Sequence, residues 1–348
     1  MLSEIREQPE ILRKIARVYA NEDFYKIWKQ FPEGKIIITG MGSSLFAAYP
    51  AYLMLLEKGY QVLWIDTSEL LHYGLKSIQK EDLLLCLSQS GESFEVIEVL
   101  KRCSEFPRVI GLTAEMNSSL NNLCTYGIDI LSGHEKAITS TKAHTATLAV
   151  MNLLTLAWSG ELGQFIHAGI ILEQIAEEME DIFERAESWS RVILDHLDFI
   201  RPVDCKVIVA RGPALSSAWH GNLCFSECAK ELFVSYSAGQ FRHGPFELAV
   251  NTMLAIVLSP QGRTDRLMQS LAHELLLRKT QVLLIGEKGM ELNGMKHNFE
   301  FLPINTSHEF FAPILSVFYL QLITYYSALE KGIEPGTAEI VTKMTLKE

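Results

Sequence analysis

The chain has no Cys-x-x-Cys pair, no His-Glu-x-x-His, no complete Gly-x-Gly-x-x-Gly and no excess of positive charge. Each absence removes a class of function. Its six cysteines, at 86, 103, 124, 205, 224 and 228, fall mostly inside apolar or periodic segments. Without paired spacing they predict reduced thiols, not a disulfide frame or a zinc cluster. The first residues, MLSEIREQPE, lack the apolar core of a secretory leader, so a cytoplasmic location is expected. The formal net charge is −11, from 31 basic and 42 acidic residues, whereas a domain that grips a nucleic-acid backbone carries a basic surplus. Nucleic acid is therefore not expected as a partner. An anionic small molecule still is, because a pocket of backbone N–H groups needs no net positive charge. One long apolar run, FFAPILSVFYLQLITYYSAL at 310–329, has the length of a membrane span. It contains Pro313, Ser316, Gln321, Thr324 and three tyrosines, so it reads as a buried core helix and no membrane partner is expected.

What is present is a sequence of 348 residues, 48% hydrophobic, that contains itself twice. KIIITGMGSSLFAA at Lys35 parallels KVIVARGPALSSAW at Lys206, and LSQSGES at Leu87 parallels LSPQGRT at Leu258; both pairs are 171 positions apart. The shared offset predicts a tandem duplication of a domain of ordinary size. Strands are expected at 35–40, 61–66, 82–88, 108–114 and 127–132, then at 206–210, 253–259, 281–286 and 299–304. Continuous apolar strands alternating with amphipathic stretches predict α/β architecture: two doubly wound, flavodoxin-like, three-layer αβα domains with parallel sheets. Ligands of such sheets bind beyond the carboxyl ends of the strands. A charged helical pattern at 173–197 reads as an amphipathic, solvated connector. The expected organisation is a helical arm (1–30), a first domain (31–165), a connecting helix (166–200), a second domain (201–335) and a tail (336–348) that closes the site.

Three polar clusters sit at strand or helix ends. TGMGSS (39–44) offers Gly42, Ser43 and Ser44 at a helix start; a dinucleotide fingerprint would need a third glycine, which is absent. LSQSGES (87–93) offers Ser88, Gln89, Ser90 and Ser93 around Gly91. One hydroxyl suffices for a helix cap, so four polar side chains in six positions point to an oxygen-rich ligand, with a plain cap as the alternative. HEKAITSTKAHTA (134–146) holds Ser140, Thr141, Lys142 and Thr145. Lys142 is placed to meet a phosphate, or else Ser140 or Thr141 caps the helix and Lys142 is solvated. In the second copy, 216–245 read as a helix puts His220, Cys224, Glu227 and Glu231 on one stripe. A metal site from His220, Cys224 and Glu227 has no companion motif, and the competing reading is a solvated face with two acids. His243, in FRHGP, offers an acid/base partner to a helical carboxylate.

Together, TGMGSS, LSQSGES and ITSTKAHT resemble the sugar-binding motifs of sugar isomerase (SIS) domains. With FSECAKELFVSYSAGQFRHGP, nearly the whole chain is similar to the isomerase half of the glucosamine-6-phosphate synthases. The chain begins at the isomerase-like region, so a protein without a glutaminase domain is expected. The resemblance implies that Ser44, Ser88, Gln89, Ser90 and Ser93 hold the 6-phosphate of a hexose phosphate, with Gly42, Ser43 and Lys142 in the same binding set. It implies that Ile138 and Ser140 border the sugar, with Glu135 near. It gives Glu227 the role of base between C1 and C2, and His243 that of ring opener, donated by the other subunit of a homodimer. Lys343 matches a C-terminal Schiff-base lysine, although Ala338-Glu339 replaces the usual Pro-Arg. No cofactor and no metal are implied. Two departures stand out: Cys224 replaces an expected lysine and His220 an expected acid. The missing lysine leaves proton transfer and ring opening in place. The resemblance thus implies an amino-sugar-phosphate isomerase or deaminase, or a deglycase that releases an amine from a sugar-phosphate adduct. Alternatives are a ketose–aldose phosphate isomerase without nitrogen chemistry and a non-catalytic sugar-phosphate sensor.

Overall fold

The apolar runs of the sequence become short strands that pair in parallel. The computed structural model describes residues 1–30, 34–103, 108–197, 205–288, 298–306, 308–338 and 340. Among them, β1 (Ile36–Gly40), β2 (Val62–Asp66), β3 (Leu83–Leu87), β4 (Val109–Thr113) and β5 (Tyr126–Asp129) form one sheet in the order β2-β1-β3-β4-β5. A second sheet takes β6 (Cys205–Ala210), β7 (Val234–Ser237), β8 (Met253–Ser259), β9 (Gln281–Glu287) and β10 (Phe299–Ile304) in the order β10-β9-β8-β6-β7. Every pairing in both sheets is parallel. Counted from each sheet's own first strand, the two orders are identical, so the repeat in the sequence is a repeat in topology. It is also the order of the flavodoxin-like architecture expected from the sequence.

Contacts divide the chain into two units. One comprises Met1–Pro9, Ala137–Thr139 and Gln174–Ala338 and carries β6–β10; the other includes Glu10–Lys136 and Ser140–Glu173 and carries β1–β5. In the β1–β5 unit the strands β1, β3 and β4 are buried along their whole length. The helix Phe94–Arg102 turns Val96, Val99 and Leu100 onto Ile37, Leu84 and Val109 in one cluster. In the β6–β10 unit, Met268, Leu271 and Leu275 of the helix Asp265–Leu277 meet Val207, Val257 and Leu284. Strands covered on both faces can dispense with polar alternation, which is why they appear in the sequence as unbroken apolar runs.

The run at 310–329 forms the helix Pro313–Glu330, buried continuously from Pro313 to Thr324. No helix of the described residues is long and apolar enough to cross a membrane. The stretch at 173–197 is not one helix but the ends of two, Leu162–Glu184 and Ala186–His196, parted where Arg185 leaves the helical region. Neither Pro nor Gly marks that break. It is less solvated than its charge suggested, since Ile175, Met179, Ile182 and Ile193 are buried. The reading of 216–245 as a single helix is also corrected. The α-helix Leu215–Cys224 passes into a π-helical turn, Phe225–Ala229, and ends at Lys230 in the left-handed region at φ 53°. β7 comes next along the chain. This strand was missed because VSYS lies at the sheet edge, partly exposed, with no apolar run to reveal it.

The helix Glu22–Trp28 is held within the β1–β5 unit by a buried bond from Trp158 Nε1–H to the Trp28 carbonyl, at 2.7 Å. Trp158→Phe keeps most of the packing and removes that donor. It is expected to cost about 1–3 kcal/mol in denaturant unfolding, the penalty of a buried carbonyl left without its partner. A change below a few tenths would show that water reaches the carbonyl.

Candidate functional site

The site is set by backbone geometry before any side chain acts. β1 pairs with β2 on one side and β3 on the other, so the chain leaves it in opposite directions and a crevice opens past the carboxyl ends of β1 and β3. Gly40 is registered against Leu87, which sets TGMGSS and LSQSGES side by side. Gly42 begins the first turn at φ 47°, a left-handed value that suits glycine.

LSQSGES folds as a hydroxyl-lined turn. Ser88 is buried, its Oγ is 2.8 Å from Ser93 Oγ, and it accepts from the Gly91 N–H at 3.1 Å. Ser90 Oγ accepts from the Glu92 N–H at 3.2 Å. Gln89, Ser90 and Ser93 are half-buried. Gly91 has φ 67°, and a Cβ there would lie 2.0 Å from Ser118 Oγ. Ser93 occupies the N-cap position of the helix Phe94–Arg102 but makes no side-chain cap bond. Its hydroxyl faces Ser88 instead, so the plain-cap alternative fails at that residue.

The third cluster is joined to the first by a residue the sequence pattern did not single out. His144 is buried in the helix Lys142–Ser159, and its Nδ1 lies 3.0 Å from Ser43 Oγ and 3.1 Å from the Ser43 carbonyl. A carbonyl only accepts, so the proton sits on Nδ1. Burial pulls the imidazole down to about 3, which keeps it neutral across the physiological range. The signal lay in plain view in HEKAITSTKAHTA, but a histidine inside an apolar helix reads as core. Glu135 is buried against the start of the helix Lys142–Ser159. Its Oε1 accepts from the Thr141 N–H (2.8 Å), the Thr141 hydroxyl (2.9 Å) and the Ala143 N–H (3.3 Å). It caps the helix from a distance, a task the sequence had offered to Ser140 or Thr141. Lys142 is buried, not solvated, at the first turn of that helix. Ser44 and Ser140 are half-buried in the β1–β5 unit. Ile138, half-buried, groups with the other unit, where its N–H donates to the Gly336 carbonyl at 3.0 Å.

In the β6–β10 unit the expected stripe is split by the change of helix type. His220 and Cys224 are fully buried, which overturns the solvated-face reading. His220 Nε2 lies 3.2 Å from Cys224 Sγ and 3.5 Å from Gln321 Nε2, and Gln321 Oε1 accepts from Gln8 at 2.7 Å. Glu227 stands half-buried on the π turn. That turn is held on several sides. Lys230 Nζ donates to the Glu227 carbonyl (2.8 Å), Lys331 Nζ to the Ala229 carbonyl (3.2 Å), and the Glu231 N–H to the Phe225 carbonyl (3.0 Å). The Glu231 carboxylate bridges Lys206, at 2.8 Å, and Lys331. Glu231 is thus a clamp and not a second acid on the stripe. His243 is exposed after the short helix Ala238–Arg242, on a loop anchored by buried Phe241 and by Arg242, which meets Glu274 through two 2.8 Å bonds. The Arg242 guanidinium holds Glu274 below the usual carboxylate range. Lys343 lies outside the described residues.

The family model of the SIS domain matches residues 31–157 and 204–331. The glutamine–fructose-6-phosphate aminotransferase (isomerizing) of Clostridium tetani is 28% identical over 350 residues, covering 96% of this chain and 56% of that protein. The chain thus spans little more than half the length of that relative. Among solved structures, the C-terminal domain of glucosamine-fructose-6-phosphate aminotransferase from Francisella tularensis superposes with a TM-score of 0.86 at 21% identity, covering 97% of both chains. Glucosamine-6-phosphate deaminase from Thermotoga maritima gives 0.76 at 20%, covering 99% of this chain and 98% of that one. At those identities the two superpositions establish the fold.

Two outcomes are expected from this geometry. Gly91→Ala should unfold the hydroxyl turn, because it adds a left-handed alanine and a clash with Ser118; loss of phosphate binding by calorimetry, with the rest of the fold kept, is the check. His144 has a folded value below its unfolded one, so its contribution is complete above about pH 6.5 and is lost as pH falls toward 3. Urea unfolding between pH 6 and 4 should therefore weaken by about 1.4 kcal/mol per pH unit on its account. His144→Asn should flatten that slope; an unchanged slope would place the proton uptake elsewhere.

Proposed function

The chain belongs to the SIS domain family, and from that premise we propose that it is an enzyme acting at C1 and C2 of a hexose 6-phosphate through an enediol or enaminol. The finer reading is an amino-sugar-phosphate isomerase or deaminase, or a deglycase releasing an amine from a sugar-phosphate adduct. The observation that carries it is Glu227, a carboxylate half withdrawn from water on a π turn that backbone and ammonium bonds hold still. π turns recur at functional sites, and a base must be fixed to within a fraction of an ångström to take a proton efficiently.

In this reading Ser44, Ser88, Gln89, Ser90 and Ser93 grip the phosphate, a group remote from the chemistry. Its binding energy then serves to orient C1 and C2. Glu227 moves the proton between those carbons. His243 opens the ring from the partner subunit of a homodimer, a role its exposure in the single chain accommodates. Lys343 is the proposed Schiff-base lysine. Cys224, paired with His220, stands where the synthases' amination chemistry would want a lysine, and it leaves proton transfer by Glu227 and ring opening by His243 in place.

Glu227→Gln keeps the shape and removes the base. Turnover should fall by roughly 10²–10⁴-fold while the dissociation constant for a hexose 6-phosphate stays within about twofold. Assays of glucosamine 6-phosphate and of 6-phosphorylated fructosamine adducts, read as released ammonia or amine, identify the nitrogen chemistry. Interconversion of ketose and aldose phosphates without amine release would mark a plain isomerase. Tight binding with no turnover of any of these would mark a sensor.

A further inference from the structure

The duplication puts a second cradle at the same address in the β6–β10 unit. β6 lies between β7 and β8, so this sheet too reverses direction at its first strand, and the crevice opens past β6 and β8. Arg211 comes directly after β6, and LSPQGRT carries the chain out of β8. A cavity there is lined by Arg211, Gln261, Gly262, Thr264 and Glu309. What separates it from an ordinary helix start is that an anion already sits in it. The Glu309 carboxylate accepts from the Arg263 N–H at 3.3 Å through Oε1 and from Arg263 Nε–H at 3.0 Å through Oε2. A Cβ at Gly262 would lie 2.7 Å from Glu309 Cγ and 2.8 Å from Oε1, so the glycine makes room for this side chain. The space left beside it is about 10 Å³, room for no more than one water. The neighbouring carboxylate, Asp265, is turned onto the Arg266 N–H.

We propose that this second cradle is an oxyanion site closed by an internal ligand, and that a phosphate monoester competes with Glu309 for it. Two oxygens on a backbone N–H and a guanidinium reproduce the contacts a phosphate would make, and Arg211 adds the charge that a dianion would need. Ser259 and Thr264 keep hydroxyls at the addresses of Ser88 and Ser93, but Pro260 and Gln261 replace Gln89 and Ser90, and Arg211 and Arg263 bring the charge. The inference goes beyond the proposed catalysis and does not depend on Glu227.

Inorganic phosphate is the probe, with affinity measured by calorimetry in a Ser88→Ala/Ser90→Ala background that disables the first cradle. A tethered competitor acts like millimolar or higher free carboxylate. Glu309→Ala should therefore tighten phosphate binding by at least about tenfold, and adding Arg211→Ala should abolish the gain. No gain in a variant whose circular dichroism is unchanged overturns the proposal, as does a gain that survives Arg211→Ala. Should Glu309→Ala fail to fold, Glu309→Gln keeps the shape and loses the charge; it should show the same gain at reduced size, and equal affinity overturns the proposal. Failure of the first-cradle reading looks different: there Ser88→Ala/Ser90→Ala leaves the phosphate affinity of the otherwise native chain untouched.

Discussion

Everything polar in the β1–β5 unit hangs on one backbone pairing, β1 beside β3. Because Gly40 is matched to Leu87, two turns that lie far apart in the sequence share one crevice. The pairing is made by peptide groups and by buried apolar side chains, so it holds no information about a ligand. Under the proposed function that information is added by the turn at the end of each strand: Gly42, Ser43 and Ser44 after β1, and Ser88, Gln89, Ser90 and Ser93 after β3. The scaffold and the chemistry are written in separate letters, which lets one copy change its turns and keep its sheet.

The two units show that separation in use. Both have the same strand order, and both place a turn with a glycine 171 positions from its twin, Gly91 and Gly262. In one, hydroxyls line the turn and bond to one another and to its N–H groups. In the other, an arginine and a carboxylate fill the same place. The second unit carries Glu227 on a turn whose restraints come from Lys206, Lys230, Glu231 and Lys331, side chains drawn from separate elements.

The sheets were legible because parallel strands buried on both faces need unbroken apolar runs, and few other structures do. The clusters of hydroxyls stood out because such side chains are costly to gather at strand ends without a use, whereas Glu227 stood out only through the family resemblance. What escaped was whatever depends on the partner. That Glu135 bonds a helix start was hidden in the sequence, since a carboxylate serves a cap or a ligand and only distance decides. His144, which the sequence pattern did not single out, proved to tie Ser43 in place. His220 and Cys224 kept their helical spacing yet faced inward, His220 toward Gln321 of the helix Pro313–Glu330, and the change of pitch after Cys224 took Glu227 and Glu231 off the stripe drawn at 100° per residue.

The pairing of β1 with β3 also has a consequence in time. β1 and β2 leave the ribosome first and can meet while the rest of the unit is still being made, but they build only one wall. The crevice comes into being when β3 arrives on the other flank of β1, after the whole β2 excursion has been threaded. A nascent chain with only β1 and β2 has the Gly42 turn but no neighbour for it. Any affinity the crevice has under the proposed function is therefore a late property of folding, gained only by chains that have completed the crossover.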